Sequence, residues 1–177
     1  MAPKPQAPPP DDKDWTWVLD KPCKECGFNA ATVRPKKLAD AVRETASRWP
    51  AVLVQPEVAE RPSPKVWSPL EYACHVRDTM KLFAERIELM LAEDNPTFAN
   101  WDQDETARKD RYWEQDPATV SKQIGKAGEA LAQVFERVGK DDWLRPGTRS
   151  NGSEFTVASI GVYLLHDLRH HVWDVRG

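Results

Sequence analysis

Ser68-Pro69-Leu70-Glu71 opens the most constrained stretch of this chain. A serine before the helix can accept an orphan backbone N–H, a proline fits the first helical position, and a glutamate three residues after the serine completes a capping box. Beyond it two rows run side by side at helical spacing. One is Ala73, Val76, Met80, Phe83, Ile87 and Met90; the other, about 100° round, is Tyr72, His75, Thr79, Leu82, Arg86 and Leu89. A long helix with so broad a buried face has to be covered by other helices, and it should run to Asn95-Pro96.

Three more helical patterns supply the cover. From Pro35, the residues Leu38, Val42, Thr45 and Trp49 step by three and four, and Pro50 either kinks this helix or starts a second piece through Leu53. Asp116-Pro117 repeats the cap-then-proline signal, and Val120, Ile124, Ala127, Leu131, Val134 and Val138 form an antiparallel-bundle seam closed by Gly139. The last helix starts near Phe155 or Thr156, with one row Thr156, Ser159, Tyr163, His166, His170, Trp173 beside another of Val157, Gly161, Leu164, Leu168, Val172 and Val175. The expectation is an all-α, up-down four-helix bundle over residues 35–177. Residues 56–67 read as a loop, 97–115 give no clear element, and the turn-rich segment 145–154, with Asn151-Gly152, predicts a small hairpin before the last helix.

Ahead of the bundle lie a proline-rich tail, residues 1–13, expected to be disordered, and a strap, residues 14–34. The strap carries Trp15, Trp17 and a Cys23-Lys-Glu-Cys26-Gly motif, and so aromatic a segment should lie in an irregular conformation on the bundle surface. At 177 residues the chain holds one domain plus these additions. Acids and bases are mixed, 28 against 25, with no basic patch for nucleic acid. No apolar run is long enough for a membrane span, and residues 1–10 lack the apolar core of a signal peptide. Three cysteines make no disulfide framework. These features together place the chain in the cytoplasm.

The chemistry concentrates near the C-terminus. His166 and His170, four apart, project from one helical face about a turn apart, as two ligands on one metal ion would. His75 falls on a buried flank of another helix. Burying three imidazoles together without a metal leaves ring nitrogens unsatisfied at about 1–3 kcal/mol each. The residues therefore predict a metal site of His75, His166 and His170 with one open position, suiting zinc, nickel or iron. Asp78 and His171 are the candidates for outer partners, with Asp167 and Asp174 behind them. Cys74 should point into the core. Cys23 and Cys26 look like one knuckle of a zinc ribbon whose second knuckle is missing. A four-ligand site would need Cys74 or a distant histidine; otherwise the pair is redox active or simply packed.

Trp67-Ser68-Pro69-Leu70-Glu71-Tyr72-Ala73-Cys74-His75-Val76-Arg77-Asp78 resembles the W-S-x-x-E-x-x-x-H-x-x-D motif of the DinB-like superfamily, and His166-Asp167-Leu168-Arg169-His170 resembles its C-terminal H-x-x-x-H. The resemblance covers about residues 35–175 and leaves the strap outside. It implies a four-helix bundle with one divalent metal, zinc first, on His75, His166 and His170. It also implies a low-molecular-weight thiol such as mycothiol, activated at the metal for attack on a small electrophile, as in S-transferases or related isomerases. Arg77, Arg86 and Arg169, for an anionic cofactor, and Trp67, Tyr163 and Trp173, as walls, are the candidates for holding thiol or substrate. The expected partners are thus small molecules, not nucleic acid or membrane, with pairing into a homodimer. The competing reading is a non-enzymatic metal-binding stress or interaction protein of the same fold.

Overall fold

The computed structural model describes Pro5, Pro8 and residues 14–177, so the expectation for the tail lies largely outside the described residues. Six helices follow in order: α1 Leu38–Ala46, α2 Trp49–Leu53, α3 Pro69–Ala92, α4 Gln103–Lys109, α5 Pro117–Glu136 and α6 Val157–Asp174. Their starts obey local chemistry. At α3 the Glu71 N–H donates to Ser68 Oγ at 3.2 Å while the Ser68 N–H donates to the Glu71 carboxylate at 2.9 Å. Asp116 accepts the Thr119 N–H at 2.7 Å to cap α5, and Thr156 with Ser159 closes a second capping box at α6. Pro50 lies in the first turn of α2 and so begins a second piece instead of kinking α1.

The fold is mostly helical, so the all-α expectation holds approximately, with one small three-stranded sheet beside the helices. Strands β2 Pro146–Arg149 and β3 Glu154–Thr156 make the expected hairpin, with Gly147 opposite Phe155. β1, Thr97–Phe98, adds to β2 in parallel and was not expected, because two residues are too few for alternation to register.

Helices α1, α3, α5 and α6 form the bundle, in which α1 and α3 each pack against both α5 and α6. The up-down path is not the one taken. Gln123 of α5 and Arg137, which caps its C-terminus, meet Arg77 and Glu88 of α3, so these neighbours run parallel. Leu38 and Glu44 of α1 lie beside Gly161 and Arg169 of α6, a second parallel pair. His75 and Phe83 of α3 face His171 and Tyr163 of α6, which is antiparallel. The reason is the long connection 93–116, which carries β1 and α4 back along the bundle before α5 begins. Trp49, Leu70, Met80, Ile87, Ile124, Leu131, Ile160 and Leu164 fill the centre, each worth about 1.5–3 kcal/mol of transfer free energy. Among the described residues no helix is long and apolar enough to cross a membrane.

The strap is seated on the bundle. Val18, in a 3₁₀ turn over Thr16–Leu19, is fully buried, and Cys23 and Phe28 are nearly so. Phe28 lies edge-on to the His166 ring at 5.3 Å between centroids.

Candidate functional site

Helix α6 presents two adjacent stripes of polar side chains, His166 with His170 and, about 100° round, Asp167 with His171. The strap packs over the first stripe and α3 over the second. Consequently the three histidines expected in one site are divided between two clusters.

In the cluster on the α3 side, donor atoms of His75, Asp167 and His171 lie within 4.8 Å of one another. His75 Nε2 is 3.7 Å from Asp167 Oδ2, and His171 Nε2 is 3.5 Å from Asp167 Oδ1. Asp174 accepts from His171 Nδ1 at 2.8 Å, which fixes that tautomer and turns Nε2 toward the cluster. Thr79 Oγ1 lies 3.3 Å from His75 Nε2. Burial holds His75 below its ordinary value and so neutral. Burial drives Asp167 up, but the His171 and His75 rings outweigh it and keep the carboxyl far below the usual range. Burial likewise lowers His171, and the Asp167 and Asp174 carboxylates more than reverse this. The carboxylate therefore demands a cation here, whether a proton on His171 or a metal among all three. Asp167 Oδ2 and His75 Nδ1 are buried with no hydrogen-bond partner. Two imidazoles and a carboxylate are ordinary ligands for a divalent metal, and this set leaves further coordination positions open.

In the cluster under the strap, donor atoms of Cys23, Cys26, His166 and His170 also lie within 4.8 Å of one another. His170 Nδ1 is 3.7 Å from Cys23 Sγ, and its Nε2 is 3.2 Å from the Glu25 carboxylate. His166 Nε2 is buried without a partner, and burial, reinforced by neighbouring His170, lowers this histidine to about 4. Burial raises the Cys26 thiol to about 11.

A cavity of about 640 Å³ borders both clusters, touching His75, His166, Asp167, His170 and His171. Trp101 stacks on His75, with ring centroids 5.4 Å apart and planes 8° from parallel, and Trp15 of the strap closes another side. Arg86, Arg108, Arg149 and Tyr163 also line it. Arg86 is 8% exposed and donates to the Ala99 carbonyl at 2.9 Å. Burial together with nearby Arg149 lowers it to about 10, and no carboxylate of the described residues figures among the causes.

Of the residues expected to hold thiol or substrate, Tyr163 and Arg86 line this cavity. Trp67 packs behind His75, at 5.4 Å between ring centroids. Arg77 is buried in an ion pair with Asp78 and bonds to Gln115 and Gln123. Asp78 accepts from Arg77 and Tyr112, so it braces α3 and is not an outer partner of His75. Arg169 points outward toward Glu44, and Trp173 is half exposed beside His170. Cys74 is buried, as expected. His171 lies among the donor atoms of His75 and Asp167, in a group that could hold a metal ion. Asp167 and His171 are readable in the sequence as a second pair four apart on α6, one residue out of phase with His166 and His170.

The sequence model of the DinB superfamily matches residues 38–175. No curated protein matches the chain. Among solved structures the fold is similar to that of YfiT from Bacillus subtilis, described as a probable metal-dependent hydrolase with an unusual four-helix bundle topology. The TM-score is 0.71 at 14% identity, over 86% of this chain and 88% of that one.

Proposed function

This chain belongs to the DinB superfamily, and from that footing we propose that it is a metal-dependent enzyme working at His75, Asp167 and His171 on a small anionic substrate or thiol. The observation that carries the reading is the buried donor set, with its unpartnered Asp167 Oδ2, opening on a cavity that Arg86 also lines.

These three residues would hold one divalent ion, zinc first. When bound, such an ion supplies Lewis acidity and makes a thiol or water in an open position a nucleophile near neutral pH. The chain's own residues do the rest. Asp174 keeps the His171 proton on Nδ1 and leaves Nε2 free to ligate. His75 stays neutral because it is buried, so its lone pair is available. Arg86 and Arg149 offer charge-assisted hydrogen bonds to a carboxylate or phosphate on the incoming molecule. Trp15 and Trp101 restrict water at the reacting end.

The nucleophile we assign is a low-molecular-weight thiol, which makes the enzyme an S-transferase; Arg86 favours a thiol or electrophile bearing an anion. The second reading keeps the ligands and uses water, in line with the description of YfiT. The test is the zinc-loaded protein assayed with mycothiol, bacillithiol and glutathione against a chromogenic electrophile, and separately against ester and amide substrates. Conjugation that disappears in His171→Ala supports the transferase. Hydrolysis without thiol consumption selects the second reading. Absence of both overturns the enzyme and leaves a metal-binding protein without turnover.

A further inference from the structure

The cysteine knuckle takes no part in that chemistry, yet the fold buries it against two histidines. Its backbone is shaped for the task. Gly27, at φ +73, sits where a side chain would be strained, and its N–H donates to the Cys23 carbonyl at 2.9 Å. The Cys23 N–H in turn donates to the Phe28 carbonyl at 2.8 Å, and the Phe28 N–H points to the Cys26 sulfur. This turn brings both sulfurs to the same side, over α6. There His166 Nε2 is buried with no partner, while the Glu25 carboxylate takes His170 Nε2 and leaves Nδ1 facing Cys23.

We infer that Cys23, Cys26, His166 and His170 form a closed four-ligand zinc site that fastens the N-terminal strap across α6 and so fixes one wall of the cavity. Two thiolates and two imidazoles are a tetrahedral zinc set. Around zinc such donors stand roughly 3.3–3.8 Å apart, and the Cys23 to His170 separation of 3.7 Å already lies in that range. A disulfide between Cys23 and Cys26 would leave His166 Nε2 buried and unsatisfied, whereas zinc engages all four side chains at once. The outer partner is present too, since Glu25 orients His170 as carboxylates orient ligating imidazoles.

What the site holds in place is Trp15. Its ring lies 5.7 Å from that of His166 and 5.5 Å from that of His170, and together with Asp14 it lines the cavity. Being closed, the site shapes the pocket and performs no turnover. It stands apart from the catalytic reading, because the two donor sets share no residue.

The test is cobalt titration of the chelator-treated, reduced full-length protein, followed by zinc analysis. A thiolate-to-cobalt charge-transfer band should saturate at one equivalent per chain. It should vanish in Cys23→Ser/Cys26→Ser, with loss of one zinc per chain, and persist in His171→Ala. X-ray absorption on zinc-loaded His171→Ala should give a shell of two sulfurs at about 2.3 Å and two nitrogens, and this decides the matter even if the cysteine variant does not fold. No charge-transfer band, a zinc shell without sulfur, or a Cys23–Cys26 disulfide in the zinc-loaded protein would each overturn the inference. A sulfur-free result with metal still bound in a His171-dependent way would leave the catalytic reading standing.

Discussion

Asp174 reaches two imidazoles, His171 Nδ1 at 2.8 Å and His170 Nε2 at 3.8 Å, so one carboxylate lies behind both donor sets. Asp174→Asn keeps the shape but weakens the hold on the His171 tautomer, and affinity for one zinc should fall about 10–100-fold, read by chelator competition. Asp78 works by a different route. Burial raises its pKa, but Arg77 and Tyr112 outweigh this and leave it lowered. A carboxyl lowered by folding adds stability above its unfolded pKa of about 3.9, and loses it as pH falls through the folded value. Asp78→Asn should therefore cost about 2–4 kcal/mol at neutral pH. Urea melts should show the gap to the parent narrowing below about pH 4, and an unchanged gap there would assign the effect to packing alone.

Two glycines of α5 separate helix propensity from helix contact. A Cβ at Gly125 meets nothing within 4 Å, whereas at Gly128 it would stand 2.8 Å from Ala46 Cβ of α1. Because that neighbour is a Cβ, it cannot rotate away. Gly125→Ala should stabilise by about 0.5–1 kcal/mol through propensity. Gly128→Ala gains the same term but must push α1 and α5 apart, and should lose about 1–2 kcal/mol net. Thermal melts of the two variants should move in opposite directions.

Across the whole molecule the strap meets the bundle at the histidine face of α6 and through buried Val18, Cys23 and Phe28, with Leu19, Ala30 and Val33 packed beside them. With zinc in the strap site, trypsin should spare Lys21 and Lys24; chelation should expose them and remove residues up to the start of α1 while the bundle stays resistant. Cleavage at equal rates with and without the metal would mean that packing alone seats the strap. Loss of the strap should also open the cavity on the Trp15 side and shift tryptophan fluorescence to the red.

The helices were legible in the sequence because their causes are local. Ser68 with Glu71, Asp116 with Pro117, and Thr156 each cap a helix with atoms a few residues away, and the three-and-four spacing marks the faces that must be buried. His75, His166, His170, Cys23 and Cys26 were legible as candidate donors for the same reason, as side-chain chemistry at helical or knuckle spacing. The partnerships were not. Which stripe of α6 meets α3 and which meets the strap depends on helix rotation within the bundle, and one residue of phase, about 100°, exchanges His166 and His170 for Asp167 and His171. The parallel pairing of α3 with α5 depends on where a long connection returns the chain, which no local pattern encodes. Sequence alone determined the helices and the reactive residue types; only tertiary packing decided how those residues sort into two donor sets, because donors far apart in the chain share a site only when separate elements bring them together.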